Sequence, residues 1–220
     1  MSESSQGYEV KIMVKGYNIV IEASDEVTTI AREVSDILSA QTETCFTLDT
    51  TRHIPHVTLY HVSLEEEVVP AVLAALKEVA SAMESFHLHQ TKYCLVRGQW
   101  IDMSYEREDP IVRLHNLVLE AVGQYHVKEE EALQKEEWSD MSPERQENLE
   151  LYGASEVRGL YRPHLTLTRL VEKMDESILQ NLPERNFSFR VSAIALYELG
   201  EYGTCHGVLG EFVFDNHDVL

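Results

Sequence analysis

"IPHVTL" at residues 54–59 and "RPHLTL" at residues 162–167 are two copies of one pattern, Pro-His-aliphatic-Thr-Leu, in opposite halves of the chain. In a β-strand, residues two apart share a face. The pattern therefore sets His56 beside Thr58 and His164 beside Thr166. Val57, Leu59, Leu165 and Leu167 turn to the other side as core. Packing accounts for the aliphatic positions. It does not account for an imidazole and a hydroxyl recurring together behind the same proline.

Outward from these strands, "YNIVIEA" (17–23) reads as a further strand. Ser24 or Asp25 can cap a helix over 26–40 that carries Val27, Ile30, Val34, Ile37 and Leu38 on one face. "TCFTLDTTRHIPHVTLYHV" predicts two strands, 44–49 and 56–62. "SLEEEVVPAVLAALKEVASAM" predicts a helix whose acidic first turn suits the positive end of its dipole. Extended runs follow at 86–97 and 99–104 with Gly98 at the turn, then a helix opened by Pro110. Residues 128–150 are rich in glutamate and poor in aliphatics, as in a solvated helical insertion or a lid over a site. The second motif strand at 164–170, a helix at 175–182 and strands at 186–198 and 207–214 complete the pattern. Helices separated by pairs of strands define an α+β sandwich of antiparallel sheets with the helices outside. One motif falls in each half.

The 220 residues suffice for a full core and are read as a single domain, 1–220, of two lobes. No run approaches the roughly 18 apolar residues of a membrane span, and "MSESSQGYEV" has no basic patch before an apolar stretch. Cys45, Cys94 and Cys205 are far apart and form no C-x-x-C pair, which fits free thiols in a reducing compartment. A cytoplasmic monomer with no membrane partner is expected. The formal net charge of −20, from 18 basic and 38 acidic residues, opposes a long polyphosphate backbone. A small nucleotide or a short oligonucleotide held by a few close donors is the better fit.

Two imidazoles and two hydroxyls suit phosphodiester chemistry without a metal or other cofactor. A neutral His56 or His164 can take a proton from an attacking hydroxyl or water, and the other, protonated, can give one to the leaving oxygen. Thr58 and Thr166 can donate to the non-bridging phosphate oxygens. The residues do not say which histidine is acid and which is base. A metal site lacks support, because no carboxylate or cysteine accompanies the histidines at a ligand-like spacing. The rival to an enzyme is a non-catalytic protein that sequesters a nucleotide in the same cleft.

"PHVTL" and "PHLTL" resemble the paired H-x-[T/S]-hydrophobic motifs of the 2H phosphoesterase superfamily, and "YNIVIEA", "CFTLDTTRHIPHVTLYHV" and "YRPHLTLTRL" extend the likeness over most of the chain. That resemblance implies a bilobal fold with pseudo-two-fold symmetry and a central cleft where the motifs meet. It implies metal-independent cleavage of a phosphodiester beside a ribose hydroxyl, with a 2′,3′-cyclic phosphate, a 2′–5′ linkage or a cyclic oligonucleotide as substrate. Carried over, His56, Thr58, His164 and Thr166 are the catalytic set.

Tyr17, Tyr161 and Arg162 lie at strand ends and are candidates for substrate binding; Arg162, one residue before the second motif, is placed to meet a phosphate. Trp100 is a candidate for stacking on a base. His61 is out of phase with His56 and Thr58, which predicts that it faces away. Cys45 and Cys94 read as small core residues.

Overall fold

The computed structural model describes residues 13–128 and 141–215. Nine strands and four α-helices occur among them: β1 (Val14–Glu22), α1 (Asp25–Gln41), β2 (His56–Glu65), α2 (Val69–Ser81), β3 (Phe86–Leu88), β4 (Gln90–Val96), β5 (Trp100–Tyr105), α3 (Asp109–Val122), α4 (Pro143–Tyr152), β6 (His164–Arg169), β7 (Phe189–Val191), β8 (Ala193–Leu199) and β9 (Cys205–Val213). Seven strands form one sheet in the order β4-β5-β6-β2-β1-β8-β9, and β3 pairs with β7 apart from it. All these pairings are antiparallel. No helix among the described residues is long and apolar enough to cross a membrane.

The two motif strands are neighbours at the middle of the sheet. They touch at a single register pair, Val57 with Leu165, which are the residues following the two histidines. A pseudo-two-fold axis through that pair exchanges β2 with β6 and their outer neighbours β1 with β5. The helices follow the same exchange: α1, which leaves β1, packs on β6, and α3, which leaves β5, packs on β2. The main core results on the helix side of the sheet. It joins Ile19, Ile21, Val57, Leu59, Ile101, Met103, Leu165 and Leu167 of the strands to Val34 and Leu38 of α1 and to Leu114 and Val118 of α3. The helices therefore cover one face, and the alternate strand residues line the other.

Both motif strands carry a β-bulge at the same place. Ile19 pairs with Tyr60 and Val20 with Thr58, leaving Leu59 as the extra residue; Ile101 pairs with Thr168 and Asp102 with Thr166, leaving Leu167. A bulge of one residue resets the alternation of the strand beyond it.

Four expected elements differ. Residues 44–49 form no strand beyond a bridge from Thr44 to Leu170, because Phe46 and Leu48 are buried from an irregular segment. That segment is held by Ser35, whose hydroxyl accepts from Leu48 N, and by Thr168, whose hydroxyl donates to Phe46 O. The helix expected at 175–182 is a 3₁₀ turn, Glu176–Leu179, opened by Asp175. The runs at 86–97 and 186–198 each break into two strands, so that the small β3–β7 sheet can form. Of the charged 128–150 segment, residues 129–140 lie outside the described residues. Its end is α4, capped by Ser142 and closed by Gly153 in the left-handed conformation (φ 67°).

Candidate active site

His56 and His164 stand at the first positions of β2 and β6 on the face away from the helices, each followed by its threonine on the same side. Each ring is held in the same way. Nδ1–H of His56 donates to the Ile54 carbonyl at 2.7 Å, and Nδ1–H of His164 to the Arg162 carbonyl at 2.8 Å. A carbonyl only accepts, so Nδ1 carries the hydrogen in both rings. The proline between each histidine and its acceptor restricts the residue before it, which fixes where that carbonyl points. Nδ1 of each ring is thereby occupied, and Nε2 is the atom turned toward other side chains.

The surroundings of the two Nε2 atoms differ. Nε2 of His56 meets the side-chain amide of Asn18 at 3.3 Å. Nε2 of His164 lies 3.9 Å from Oδ2 of Asp102. Burial holds the His56 imidazolium below the ordinary histidine range, and charge on His164 pushes the same way, against the support of the Ile54 and Gly203 carbonyls.

The hydroxyls are engaged. Thr166 donates to Oδ1 of Asp102 at 3.0 Å, and Thr58 shares a hydrogen bond of 3.4 Å with Nε2 of His61. Neither hydroxyl is without a partner in this arrangement. Asp102 is buried, and Arg162 clasps it at 2.7 Å while also reaching Ser104. Replacing Asp102 by alanine removes the acceptor of Thr166 and the counter-ion of Arg162. About a third of the arginine side chain is exposed and can turn to water, so the expected cost is about 1–3 kcal/mol, read as a lowered urea midpoint.

His61 is on the cleft face, contrary to the expectation of strict alternation. The bulge at Leu59 resets the phase, so His61 joins Thr58; its ring packs against Gly203, where an added Cβ would lie 3.3 Å from Cε1. Burial, reinforced by His56 and His164, pushes His61 down to about 4. The matching bulge brings Arg169 to the same face, where its guanidinium lies 5.4 Å from the Trp100 ring and 5.1 Å from the Tyr202 ring.

Of the four lesser candidates, Arg162 and Trp100 sit on this face. Tyr17 belongs to the buried core, because it alternates with Asn18 on β1. Tyr161 is buried too, stacked 3.8 Å from His115, and its hydroxyl donates to the Thr58 carbonyl. Neither tyrosine offers its ring to the cleft. Sequence reasoning missed Asn18 and Asp102. The signal was a lone amide in "YNIVIE" and a lone carboxylate in "WIDMSY", each on a strand otherwise rich in apolar residues.

The arrangement is two strand-borne His-x-Thr pairs related by a pseudo-dyad on one sheet. Residues 28–203 match the family model of the 2′-5′ RNA ligase superfamily, and the chain belongs to that superfamily of 2H phosphoesterases. Among solved structures, TT0787 of Thermus thermophilus is 19% identical with a TM-score of 0.57, covering 90% of this chain and 97% of that one. E. coli LigT complexed with NADP+ is 16% identical with a TM-score of 0.55, covering 92% of this chain and 99% of that one. LigT complexed with 3′-AMP is 16% identical with a TM-score of 0.54, covering 92% and 99%. These likenesses establish the fold. A comparison with curated proteins gives no match. Membership in the superfamily supports phosphodiester cleavage in general.

Proposed function

We propose that this protein is a metal-independent phosphodiesterase that cleaves a phosphodiester of a small nucleotide or short oligonucleotide by proton transfer between His56 and His164. The observation that carries this reading is the identical tethering of both rings through Nδ1, which leaves two Nε2 atoms for the reaction. One Nε2 takes the proton as the nucleophile's oxygen bonds to phosphorus. The P–O bond to the leaving oxygen breaks, and that oxygen takes the proton carried by the other Nε2. Thr58 and Thr166, once turned, steady the charge on the non-bridging oxygens.

A water nucleophile corresponds to a 2′,3′-cyclic phosphate as substrate; an adjacent ribose hydroxyl corresponds to cleavage of a 2′–5′ linkage or a cyclic oligonucleotide. E. coli LigT has been crystallised with 3′-AMP, ATP and phosphate, which supports a nucleotide as the ligand class here. The net charge of −20 favours short substrates over long RNA.

The test is a panel of 2′,3′-cyclic nucleotides, 2′–5′ oligoadenylates and cyclic dinucleotides with products separated by chromatography. Turnover of at least one class is expected, unchanged by a chelator, because the proposed proton transfers use only the two imidazoles. Binding without product over hours would make the protein a sequestering module. Loss of turnover on chelation would overturn the metal-independent mechanism.

A further inference from the structure

The fold relates the two halves by a pseudo-dyad, yet the groups beside the two Nε2 atoms are an amide in one half and a carboxylate in the other. Asn18 is fully buried on β1. Its Nδ2 lies 3.3 Å from the Gly203 carbonyl, 3.3 Å from Nε2 of His56 and 3.7 Å from Sγ of Cys205. The Gly203 carbonyl only accepts, so this end of the amide is the nitrogen and not the oxygen. With one hydrogen on Gly203, the other has Nε2 of His56 at 3.3 Å and Sγ of Cys205 at 3.7 Å before it, and the ring nitrogen is the nearer and the stronger acceptor. Nδ1 of His56 already carries a hydrogen, given to Ile54. Nε2 therefore completes the bond as an acceptor, and the ring is neutral with its lone pair toward Asn18.

The carbonyl that orients the amide is itself delivered by a strained turn. Tyr202 adopts φ 58° and Gly203 φ 76°, inside a turn closed by Gly200 and Thr204. A tyrosine in the left-handed region is held there by its surroundings. Here Phe46 stacks on its ring at 6.0 Å and Arg169 covers it. Any Cβ at residue 203 would crowd His61.

We propose that Asn18 is a positioning residue that keeps Nε2 of His56 free of a proton, making His56 the base of the pair and His164, beside Asp102, the acid. The assignment of roles rests on the phosphodiesterase reading; the hold of Asn18 on His56 does not. The Gly203 carbonyl also favours the charged ring of His56, against the larger effect of burial. The titratable groups around His56 are His61 on its own strand, His164 on β6, and Glu22 on β1. The Glu22 carboxylate is occupied by the Tyr197 hydroxyl at 2.6 Å. Cys205, behind Asn18 on β9, stays a thiol because burial pushes it up to about 12.

The experiment is a titration of the histidine ring nitrogens by NMR in ¹⁵N-labelled full-length protein, alongside kcat/KM against pH. In the parent, Nε2 of His56 is expected to show the shift of an unprotonated nitrogen at neutral pH. Asn18→Asp puts a carboxylate beside that atom, so the His56 midpoint is expected to rise by about 1 pH unit or more, with the acid limb of kcat/KM moving with it. Should the buried charge prevent folding, Asn18→Ala gives the second reading. Loss of the donor is expected to raise the midpoint by a smaller amount, whereas a merely structural role would leave it in place. A protonated Nε2 in the parent, or a midpoint unmoved in both variants, overturns the proposal. The expected titrations together with no turnover of any phosphodiester would leave Asn18's role standing and remove the enzyme reading.

Discussion

Changing His56 or His164 to alanine is expected to reduce kcat/KM on the cleaved substrate by at least about 10²–10⁴-fold, the span of a single general acid or base. The fold is expected to survive. Each side chain is half-buried, and the only structural bond of its Nδ1 is to a backbone carbonyl two residues earlier, which cleft water can satisfy in its absence. The double variant is expected to lose far less than the product of the single losses, because removing one member of a proton-transfer pair already idles the other. Circular dichroism on the three variants, beside kcat/KM, is the check. A double variant turning over at the parental rate would refute the mechanism.

Acid is expected to destabilise this protein before its carboxylates begin to titrate. His115 is fully buried between β2 and the Val157–Arg158 backbone: its Nδ1–H donates to the Leu59 carbonyl at 2.8 Å and its Nε2 accepts from Arg158 N at 3.0 Å. Both nitrogens are used by the neutral ring. Burial pushes its imidazolium down to about 4, against about 6.5 in the unfolded chain. Between those values the unfolded chain holds the extra proton, so stability is complete above about pH 6.5 and falls as pH drops to about 4. The loss assigned to His115 is roughly 3 kcal/mol over that window. His61 adds in the same direction and by less, being half-buried. Urea midpoints at pH 7, 5.5 and 4.5 should fall steadily in the parent. His115→Phe should start lower, since two backbone groups lose their partner, but decline less with acid. An unchanged slope in that variant would show that His115 does not carry the effect.

Much of this is legible in the chain itself. Ser24 does cap α1, and its hydroxyl accepts from Val27 N. The alternation in "PHVTL" and "PHLTL" correctly separates core from cleft, because a two-residue period is enforced wherever one sheet face is buried. The alternation stops being informative at Leu59 and Leu167, since a bulge leaves no mark in an apolar run. That is why strict alternation turns His61 the wrong way. "TCFTLD" resembles a strand for a related reason. Phe46 and Leu48 do alternate into the core, but they do so from a segment tied down by Ser35 and Thr168 side chains instead of a ladder. Asn18 and Asp102 are visible as polar residues on apolar strands. Their partners, however, lie 38 and 60 or more residues away and exist only once the sheet has formed.

The crossed placement of α1 on β6 and α3 on β2 bears on how such a protein could be divided. Each half supplies the backing for the other half's histidine strand, so a fragment ending after α2 would present β2 without the helix that covers it and α1 without its strand. Co-expressed fragments could recover a site only by wrapping around one another as they fold. The spacing of the two imidazoles is thus inherited from a mutual embrace of the halves, and mixing pieces from related chains would succeed or fail on that seam before any question of chemistry arose.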